Sequence, residues 1–281
     1  MTSRRARQPS RGARARTVLT YAGLSLLALF TAFPFLWLLA TALRVGGRVF
    51  GFPPPLPWPL GLDNFLGVWR TMPIPRFLLN TVLITGAGVG LNLLLCALAA
   101  YPLARMRFPG RHLVFFALLS TLMLPGHVGL IVNFVTMTKL RLIDTYAAVV
   151  LPSAVSVFGI FLLRQQYLTI PQELEDAARI DGASEFGIWR RIMLPLIAPG
   201  LATLAIFEFV AFWNSFLWPL VVLKSPERYP LAVGLLYLSG LFAHNTRLIA
   251  AGAVIMTIPI LVVFIFTQRY FIRGITVGAV R

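Results

Sequence analysis

Long apolar stretches divide this chain and set the strongest limit on what it can fold into. Of its 281 residues, 58% are hydrophobic and only 12% are charged, whereas soluble domains have about 25% charged residues. A helix of about 20 apolar residues crosses the hydrocarbon core of a bilayer. We therefore expect an all-α integral membrane protein with six transmembrane helices. The predicted spans are residues 17–43, 77–103, 112–138, 146–168, 196–222 and 248–271.

The distribution of basic residues predicts the orientation of these spans. Residues 1–16 contain six arginines and no acidic residue. With six spans, 16 lysines and arginines fall on the side of both termini and nine fall on the other side. Because cytoplasmic loops carry the excess of Lys and Arg, both termini are expected in the cytoplasm. These loops, together with contact to anionic membrane lipid, explain the net charge of +16, so we expect no nucleic-acid partner.

The sequence carries no signal for a catalytic or metal site. The single cysteine, Cys96, cannot form a disulfide within the chain, and the three histidines lie far apart without ligand spacing. No phosphate-binding loop of the form G-x-x-x-x-G-K-[ST] occurs. We therefore expect no metal, no catalytic residue and no cofactor bound by this chain, and we expect that it is not an enzyme.

A polar, acid-rich insert separates the predicted fourth and fifth spans. Five of the nine acidic residues lie within residues 173–185. Phe186, Trp189 and Met193 follow at spacings of three and four, which gives the second half an apolar stripe. The insert is therefore expected to be a cytoplasmic helix–turn–helix on which a soluble partner docks. The alternative is an amphipathic hairpin lying on lipid, although such hairpins usually have basic polar faces.

Local signals predict where the two helices of the insert begin and end. Thr169 and Gln172 have the spacing of a capping box at a helix start. Gly182 follows an aspartate and is expected to stop the first helix, because glycine readily adopts the left-handed conformation found at helix ends. The second helix is expected over residues 184–194 and is expected to end before Pro195, since proline disfavours helix at the preceding residue.

The insert resembles a motif of a known family. The run from Asp176 to Gly182, followed after nine residues by Ile192-Met-Leu-Pro195, is similar to the EAA loop of binding-protein-dependent ABC transporter permeases, the MetI-like family. Asp176 stands where the family usually has Glu, a difference that keeps the negative charge and shortens the reach of the side chain. Further runs are similar, in order, to the sugar branch of the family and its maltose-type second permease subunit: residues 101–110, 161–164, 213–220 and 274–280.

The resemblance implies a division of the chain and a set of partners. It implies a basic tail (1–16), a first span with a proline-rich external loop (17–76), a type-1 permease core (77–271) and a cytoplasmic C-terminal tail (272–281) that also touches the ATPase. The implied partners are a second homologous permease subunit, a dimeric cytoplasmic ATPase that binds ATP and Mg, and an extracytoplasmic sugar-binding protein. The implied location is the cytoplasmic membrane of a bacterium or archaeon.

The resemblance also implies that the insert is the coupling element that fits into a cleft of the ATPase. The implied coupling residues are Glu173, Asp176, Ala177, Ala178, Asp181, Gly182, Phe186, Ile192, Leu194 and Pro195.

Four polar or aromatic residues within the spans are candidates for the substrate pathway. Glu208 lies in the fifth span, where a charged side chain costs about 2.5–3.5 kcal/mol, so it is expected to line a cavity or to make a buried structural hydrogen bond. Trp213 and Asn214 follow in the same span and either contact sugar or pack helices together. Asn80 in the second span is a weaker candidate.

The favoured function is that of a permease subunit in an ATP-driven carbohydrate importer. The same mechanism with glycerol phosphate, an amino acid or a polyamine as cargo is an alternative. A self-sufficient, ion-coupled secondary transporter is a further alternative, although it would normally show repeated halves, and the sequence has no clear repeat.

Overall fold

The computed structural model describes residues 11–46, 59–126, 128–241 and 245–277. These residues are mainly helical and contain no β-strand beyond one isolated bridge between Arg44 and Leu60, which confirms the predicted all-α class. In chain order the α-helices are α1 (Arg11–Leu43), α2 (Asp63–Thr71), α3 (Ile74–Arg105), α4 (Arg111–Thr121), α5 (Leu130–Lys139), α6 (Tyr146–Val150), α7 (Val157–Leu168), α8 (Glu173–Ile180), α9 (Glu185–Ile188), α10 (Leu194–Leu196), α11 (Ala198–Trp213), α12 (Leu217–Val222), α13 (Leu231–Leu241) and α14 (Thr246–Val277).

Three of the described helices are long and apolar enough to cross a membrane. They are Arg16–Leu43, Ile74–Arg105 and Thr246–Thr267, which correspond to the first, second and sixth predicted spans. Two bent pairs of helices pass the same test when each pair is counted as one span, which gives up to five. Several apolar helices of this kind agree with a membrane protein that crosses the bilayer more than once.

The predicted third span is two short helices in the structure. α4 has 11 residues and α5 has 10, and the segment between them includes Pro125, Gly126 and Gly129. Proline removes a backbone N–H and glycine has a low helix propensity, so the helix breaks here. A hydropathy window averages over such a break, which is why the sequence predicted one continuous helix.

The predicted fourth span is bent, and a second bend lies where the insert joins the predicted fifth span. Tyr146–Ser153 and Val157–Leu168 meet at 49°, and Glu185–Leu196 and Ala198–Trp213 meet at 75°. In the fourth span Pro152 lies at the break, and the Ser156 hydroxyl restarts the helix by accepting a hydrogen bond from the Gly159 N–H at 3.0 Å. The fifth predicted span does not run unbroken to residue 222, because α11 ends at Trp213 and α12 is separate.

The helices at both ends of the chain extend into regions predicted as tails. α1 begins at Arg11, within the predicted tail 1–16, and α14 continues to Val277, within the predicted tail 272–281. Arginine is a good helix former, so a helix can continue beyond the apolar stretch that identifies a span. Residues 1–10 and 278–281, and residues 52–58 of the proline-rich run, lie outside the described residues.

Two helices occupy regions predicted as external loops. α2 follows the proline-rich run, and α13 lies between the fifth and sixth predicted spans. The hydropathy argument missed both because they are too short to span a bilayer.

The chain divides into two compact units, and the smaller comprises residues 1–68 and 242–254. In its described part, hydrogen bonds join the end of α1 to the start of α2. The Asn64 side-chain amide donates hydrogen bonds to the carbonyl groups of Ala42 at 2.8 Å and Arg44 at 2.7 Å, and the Gly61 N–H donates to the Leu43 carbonyl at 2.7 Å. These bonds satisfy carbonyl groups that the end of α1 leaves without helical partners.

The larger unit comprises residues 69–241 and 255–281 and is organised around α3. α3 packs against α7, α11 and α13. Glycine permits close approach on α3, because a Cβ atom at Gly88 would lie 2.5 Å from the ring of Phe212 on α11. A buried apolar cluster joins α3 and α7 to the acid-rich insert; its largest members include Tyr101, Leu163, Tyr167, Ile188, Trp189 and Met193.

Candidate functional site

The first helix of the insert, α8, begins later than the capping-box prediction placed it. The Thr169 hydroxyl donates to the Gln166 carbonyl at 2.8 Å and so completes the end of α7 instead of starting α8. α8 starts at Glu173 and has no side-chain cap. Three acidic residues in its first turn (Glu173, Glu175 and Asp176) lie at the positive end of the helix dipole. The helix dipole therefore favours the start of α8 without a capping side chain.

The turn after α8 has the geometry that the sequence predicted. Gly182 has φ +80°, in the left-handed region. The Gly182 N–H donates to the Arg179 carbonyl at 3.0 Å, and the Ala183 N–H donates to the Ala178 carbonyl at 2.9 Å. These bonds satisfy carbonyl groups that a helix end leaves open.

The second helix starts as predicted and ends later than predicted. The Ser184 hydroxyl accepts a hydrogen bond from the Gly187 N–H at 3.2 Å and caps the helix start at Glu185. The helix does not end before Pro195. It passes through a π-helical turn at Trp189–Met193, in which the Leu194 N–H bonds to the Trp189 carbonyl five residues earlier, and reaches Leu196. The wider π turn changes the bonding pattern just ahead of the proline, where a regular helix would clash.

α8 turns a charged residue inward and apolar residues outward. Glu175 is 1% exposed and Ala178, on the same face, is buried. Ile180 is 86% exposed, and Leu174 is exposed as well. A helix that buries a carboxylate while exposing isoleucine reverses the usual preference for burial. Its outer surface is therefore suited to a contact that the isolated chain does not supply.

An ion-pair network holds the inward face of α8 against α3. The Glu175 carboxylate lies 2.9 Å from Nε of Arg105, at the end of α3, and 3.3 Å from Nη2 of Arg179. Arg179 also contacts Glu185 at 2.7 Å, in the second helix of the insert. The Tyr101 hydroxyl donates to the Glu185 carboxylate at 3.2 Å. The hydrogen bond to Glu185, more than the other carboxylates, raises the pKa of the Arg179 guanidinium, so this cation stays charged and joins both helices to α3.

A second anchor joins the insert to α7. The Trp189 indole N–H donates to the Tyr167 hydroxyl at 3.0 Å, and that hydroxyl donates to the Ala97 carbonyl of α3 at 3.4 Å. Trp189 is 5% exposed and Met193 is fully buried, whereas Phe186 is 60% exposed. The predicted apolar stripe is therefore divided between the interior and the surface.

Seven of the ten predicted coupling residues are exposed in the structure. A cavity of about 430 Å³ on the insert is lined by residues of its turn and second helix, including Gly182, Phe186 and Ile192. Ala178 is buried, and Ile192 and Leu194 are half-buried. The exposed members of the predicted set are Glu173, Asp176, Ala177, Asp181, Gly182, Phe186 and Pro195.

The predicted substrate-pathway residues do not come together. Trp213 is buried and donates its indole N–H to the Met256 carbonyl at 3.1 Å. Asn214 is exposed and donates to the Val210 carbonyl at 3.0 Å, so it closes the end of α11. Glu208 is 8% exposed and lines a separate cavity of about 310 Å³. Trp213 lines a different cavity of about 550 Å³, so Glu208 and Trp213 do not share one.

Asn80 has a structural position at the opposite end of α3 from the insert. Its side-chain amide donates to the carbonyl groups of Glu227 and Tyr229, both at 2.9 Å, and its oxygen accepts from the Tyr146 hydroxyl at 2.7 Å. These three bonds use most of the hydrogen-bonding capacity of the amide and fix the loop before α13. Asn80 is therefore a loop anchor in this structure.

The same loop is held by Asp144. Its carboxylate accepts hydrogen bonds from the Lys224 N–H at 2.9 Å and from the Ser225 N–H at 3.0 Å, and it pairs with Arg228 at 2.7 Å. Burial alone would raise the pKa of Asp144, but the hydrogen bonds from Ser225 and Lys224 and the charge of Arg228 outweigh it and lower this pKa to about 2.

Sequence reasoning missed the residues that fix the insert in place. Glu175, Arg105, Arg179 and Tyr101 were not among the candidates, although Glu175 and Arg179 are charged residues within the insert. Only Glu175 and Arg179 carried a signal, since they are spaced i, i+4 on one helix. The pairing with Arg105 joins residues 70 positions apart, and spacing along the chain gives no information about it.

The comparisons with known proteins identify the class. The family described as the binding-protein-dependent transport system inner membrane component matches residues 92–277, and the chain belongs to this family. It is similar to the arabinooligosaccharides transport system permease protein AraQ of Halalkalibacterium halodurans, 40% identical over 266 residues that cover 92% of this chain and 94% of AraQ. It is also similar to the lactose transport system permease protein LacG of Rhizobium radiobacter, 32% identical with both chains fully covered.

A solved structure has the same fold. A chain in the crystal structure of a bacterial ABC transporter involved in the import of the acidic polysaccharide alginate superposes with a TM-score of 0.79. It is 26% identical to this chain, and the match covers 95% of this chain and all of the other. The fold described above is therefore that of an ABC importer permease.

Proposed function

We propose that this chain is the transmembrane permease subunit of an ATP-driven carbohydrate importer. Membership of the transport family supports the permease role, and the similarity to permeases for arabinooligosaccharides and lactose supports a carbohydrate cargo. The observation that carries the mechanism is the reversed α8 helix, with Glu175 buried against Arg105 and Ile180 exposed.

The proposed mechanism transmits a movement through that helix. A dimeric cytoplasmic ATPase binds ATP and Mg, and this chain binds neither. The exposed side chains Leu174, Ile180 and Phe186 contact the ATPase. The Glu175–Arg105 pair, at 2.9 Å, then carries the displacement of α8 to α3. Since α3 packs against α7 and α11, a displacement of α3 moves the helices around it.

The remaining predicted coupling residues have matching roles. Asp176 and Glu173 present carboxylates on the exposed side of α8, and Ala177 and Ala178 let neighbouring backbones approach. Gly182 and Asp181 form the turn that orients the second helix. Ile192, Leu194 and Pro195 lie where the insert turns into α11 and pass the movement to the fifth span.

We propose that the chain crosses the membrane six times with both termini in the cytoplasm. α4 and α5 together form the third span, broken at Pro125–Gly126. This assignment keeps the basic excess on the cytoplasmic side. A second permease subunit completes the transport pathway, and an extracytoplasmic binding protein delivers the sugar. The tail around residues 272–281 provides a second contact with the ATPase. Glu208 lines the pathway, and Trp213, Asn214 and Asn80 support the helices and loops around it.

The docking surface is tested by Ile180→Asp. Because Ile180 is 86% exposed, the exchange leaves the fold intact and places a charge in the contact. We expect the ATPase to be lost when the importer is purified through a tag on this chain, and hydrolysis stimulated by the loaded binding protein to be abolished. Leu140→Asp, at an exposed leucine just after α5 and outside the insert, is the control and should change neither. Retention of full stimulated hydrolysis by Ile180→Asp would contradict the proposal.

Two alternatives predict different results in the same preparation. Uptake of glycerol phosphate, an amino acid or a polyamine, without uptake of sugar, would support the same importer mechanism with a different cargo. Uptake by the purified chain alone, driven by an ion gradient without ATP, would identify a secondary transporter instead.

A further inference from the structure

The broken fourth span opens a cavity in the membrane-spanning part of the larger unit. The helix stops at Leu151–Ser153 and restarts at Val157, with a bend of 49°. Residues before and within the break, including Pro152, Ser153 and Ser156, line a cavity of about 310 Å³. Ligand cavities typically measure about 300–1,000 Å³. In transporters, substrate sites commonly form where a spanning helix is discontinuous, because the break exposes polar groups to the cavity.

A buried carboxylate faces this break from the fifth span. Glu208 lines the cavity and is 8% exposed. In the described part of the chain, no lysine, arginine or histidine forms an ion pair with it. A buried acid without a cation is costly and is retained where it has a function. Its polar neighbour is the Ser156 hydroxyl, which is directed at the Glu208 carboxyl group and whose oxygen accepts a hydrogen bond from the Gly159 N–H.

The other polar groups of the cavity are hydroxyls. Ser153 and Ser215 line it together with Ser156, and Val149 and Phe212 supply apolar walls. The Ser153 carbonyl accepts a hydrogen bond at 3.2 Å from Asn92, a fully buried residue of α3, so the broken segment is held in place. The cavity is therefore a fixed arrangement of one carboxylate and three hydroxyls beside apolar surface.

We propose that this cavity is a subsite that binds a pair of neighbouring hydroxyl groups on one sugar residue of the cargo. The two oxygens of Glu208 accept one hydrogen bond from each sugar hydroxyl, Ser156 holds the Glu208 carboxyl group in place, Ser215 donates to a sugar oxygen, and Phe212 packs against the C–H face of the ring. The subsite rests on the proposed carbohydrate function, and it gives this chain a direct part in recognising the cargo.

The composition of the cavity favours hydroxyl groups over a metal ion. Among the described residues, no group of three or more acidic, histidine or cysteine side chains could hold a metal. One carboxylate with three neutral hydroxyls matches the pattern of polar groups that orients a sugar, in which a few placed donors and acceptors stand beside apolar walls.

The test uses protection of a single cysteine in the reconstituted importer, with both permeases, the ATPase and the binding protein. The native Cys96 is replaced by alanine and Ser215→Cys is introduced. The rate of modification by a small neutral thiol reagent is measured with and without arabinotriose or lactose, in the vanadate-trapped state. We expect at least one of these sugars to slow modification about tenfold, equivalent to ~1.4 kcal/mol. Adding Glu208→Gln should remove most of this protection.

A matched control and two further outcomes distinguish failure of the subsite from failure of the proposed function. Thr136→Cys, exposed on α5 and outside the cavity, should be modified at the same rate with and without sugar. Unchanged modification of Ser215→Cys in an importer that still accumulates the sugar would overturn the subsite and leave the proposed function intact. Protection by spermidine or glycerol 3-phosphate, with no sugar uptake, would overturn both. If Ser215→Cys does not assemble, Ser153→Cys tests the same cavity wall with the same expected protection.

Discussion

Glu175 shows how one residue can determine the geometry of the insert. It is 1% exposed and pairs with Arg105 at 2.9 Å and Arg179 at 3.3 Å. Removing one partner of a buried ion pair leaves the other charge without compensation and typically costs about 3–5 kcal/mol. We therefore expect Glu175→Ala to lower the thermal unfolding temperature of the purified chain markedly and to weaken ATPase association.

Glu173→Ala is the matched control for that prediction. Glu173 lies in the same first turn of α8 but is exposed, so its removal should change stability by no more than about 0.5 kcal/mol. Equal unfolding temperatures for the two variants would show that the network does not hold α8 in place.

Asp144 makes the stability of the loop before α13 depend on pH. Its pKa in the folded protein is about 2, below the ordinary value of about 3.9. A lowered pKa means that the stabilisation is complete above about pH 4 and is lost as pH falls towards 2. We expect Asp144→Asn to be less stable than the wild type above pH 4, with the difference shrinking at lower pH. Denaturation of both proteins at several pH values measures this difference in stability.

Ser225→Ala tests the cause assigned to the low pKa of Asp144. The Ser225 hydroxyl donates to the Asp144 carboxylate at 2.5 Å, so its removal should raise the pKa of Asp144. The pH at which the stabilisation is lost should move upward accordingly. A midpoint that does not move would contradict the assignment of the low pKa to this hydrogen bond.

At the scale of elements, the turn at Gly182 fixes how the two helices of the insert are presented. With φ +80°, an alanine there would be strained by about 1–2 kcal/mol. Gly182→Ala should therefore reduce ATPase co-purification together with stability. Gly110 also has φ +80° with open space around it, on a different loop. Gly110→Ala should cost similar stability and leave ATPase association unchanged; equal loss of association in both variants would contradict the docking role of the turn.

The sequence predicted those elements that depend on local chemistry. Hydropathy located α3 and α14, and the glycine stop at Gly182 was correct because a left-handed residue is a local requirement. The break between α4 and α5 was missed because apolar content does not register Pro125. The end of the second insert helix was wrong because a π turn ahead of Pro195 depends on packing of Trp189 and Met193, which are separated from their partners in sequence.

The sequence predicted only those parts of the candidate site that depend on neighbouring residues in the chain. The location of the insert and its exposed carboxylates follow from the order of residues along the chain. The inward orientation of Glu175 follows from Arg105, which lies on another helix, so no periodicity predicts it. Likewise, Glu208 was recognised as unusual from its surroundings in sequence, but the serines of the broken fourth span that share its cavity became evident only in the fold.

At the scale of the whole molecule, the proposed mechanism is that of a passive membrane subunit whose helices are moved by a separate ATPase. In that mechanism the ATPase contacts the insert and α3 transmits the movement to the helices packed around it, among which the cavity beside Glu208 lies. Each of these features lies in the larger unit of the chain. Failure of the cavity as a sugar subsite would leave the connection between insert and α3 unaffected.

The most direct measurement labels a single cysteine on the insert. In a Cys96→Ala background, Ile180→Cys is treated with a membrane-impermeant maleimide in right-side-out and inside-out vesicles, with and without the ATPase. The account predicts labelling only in inside-out vesicles and strong protection when the ATPase is bound. Labelling from the outer face, or an equal rate with and without the ATPase, would contradict it.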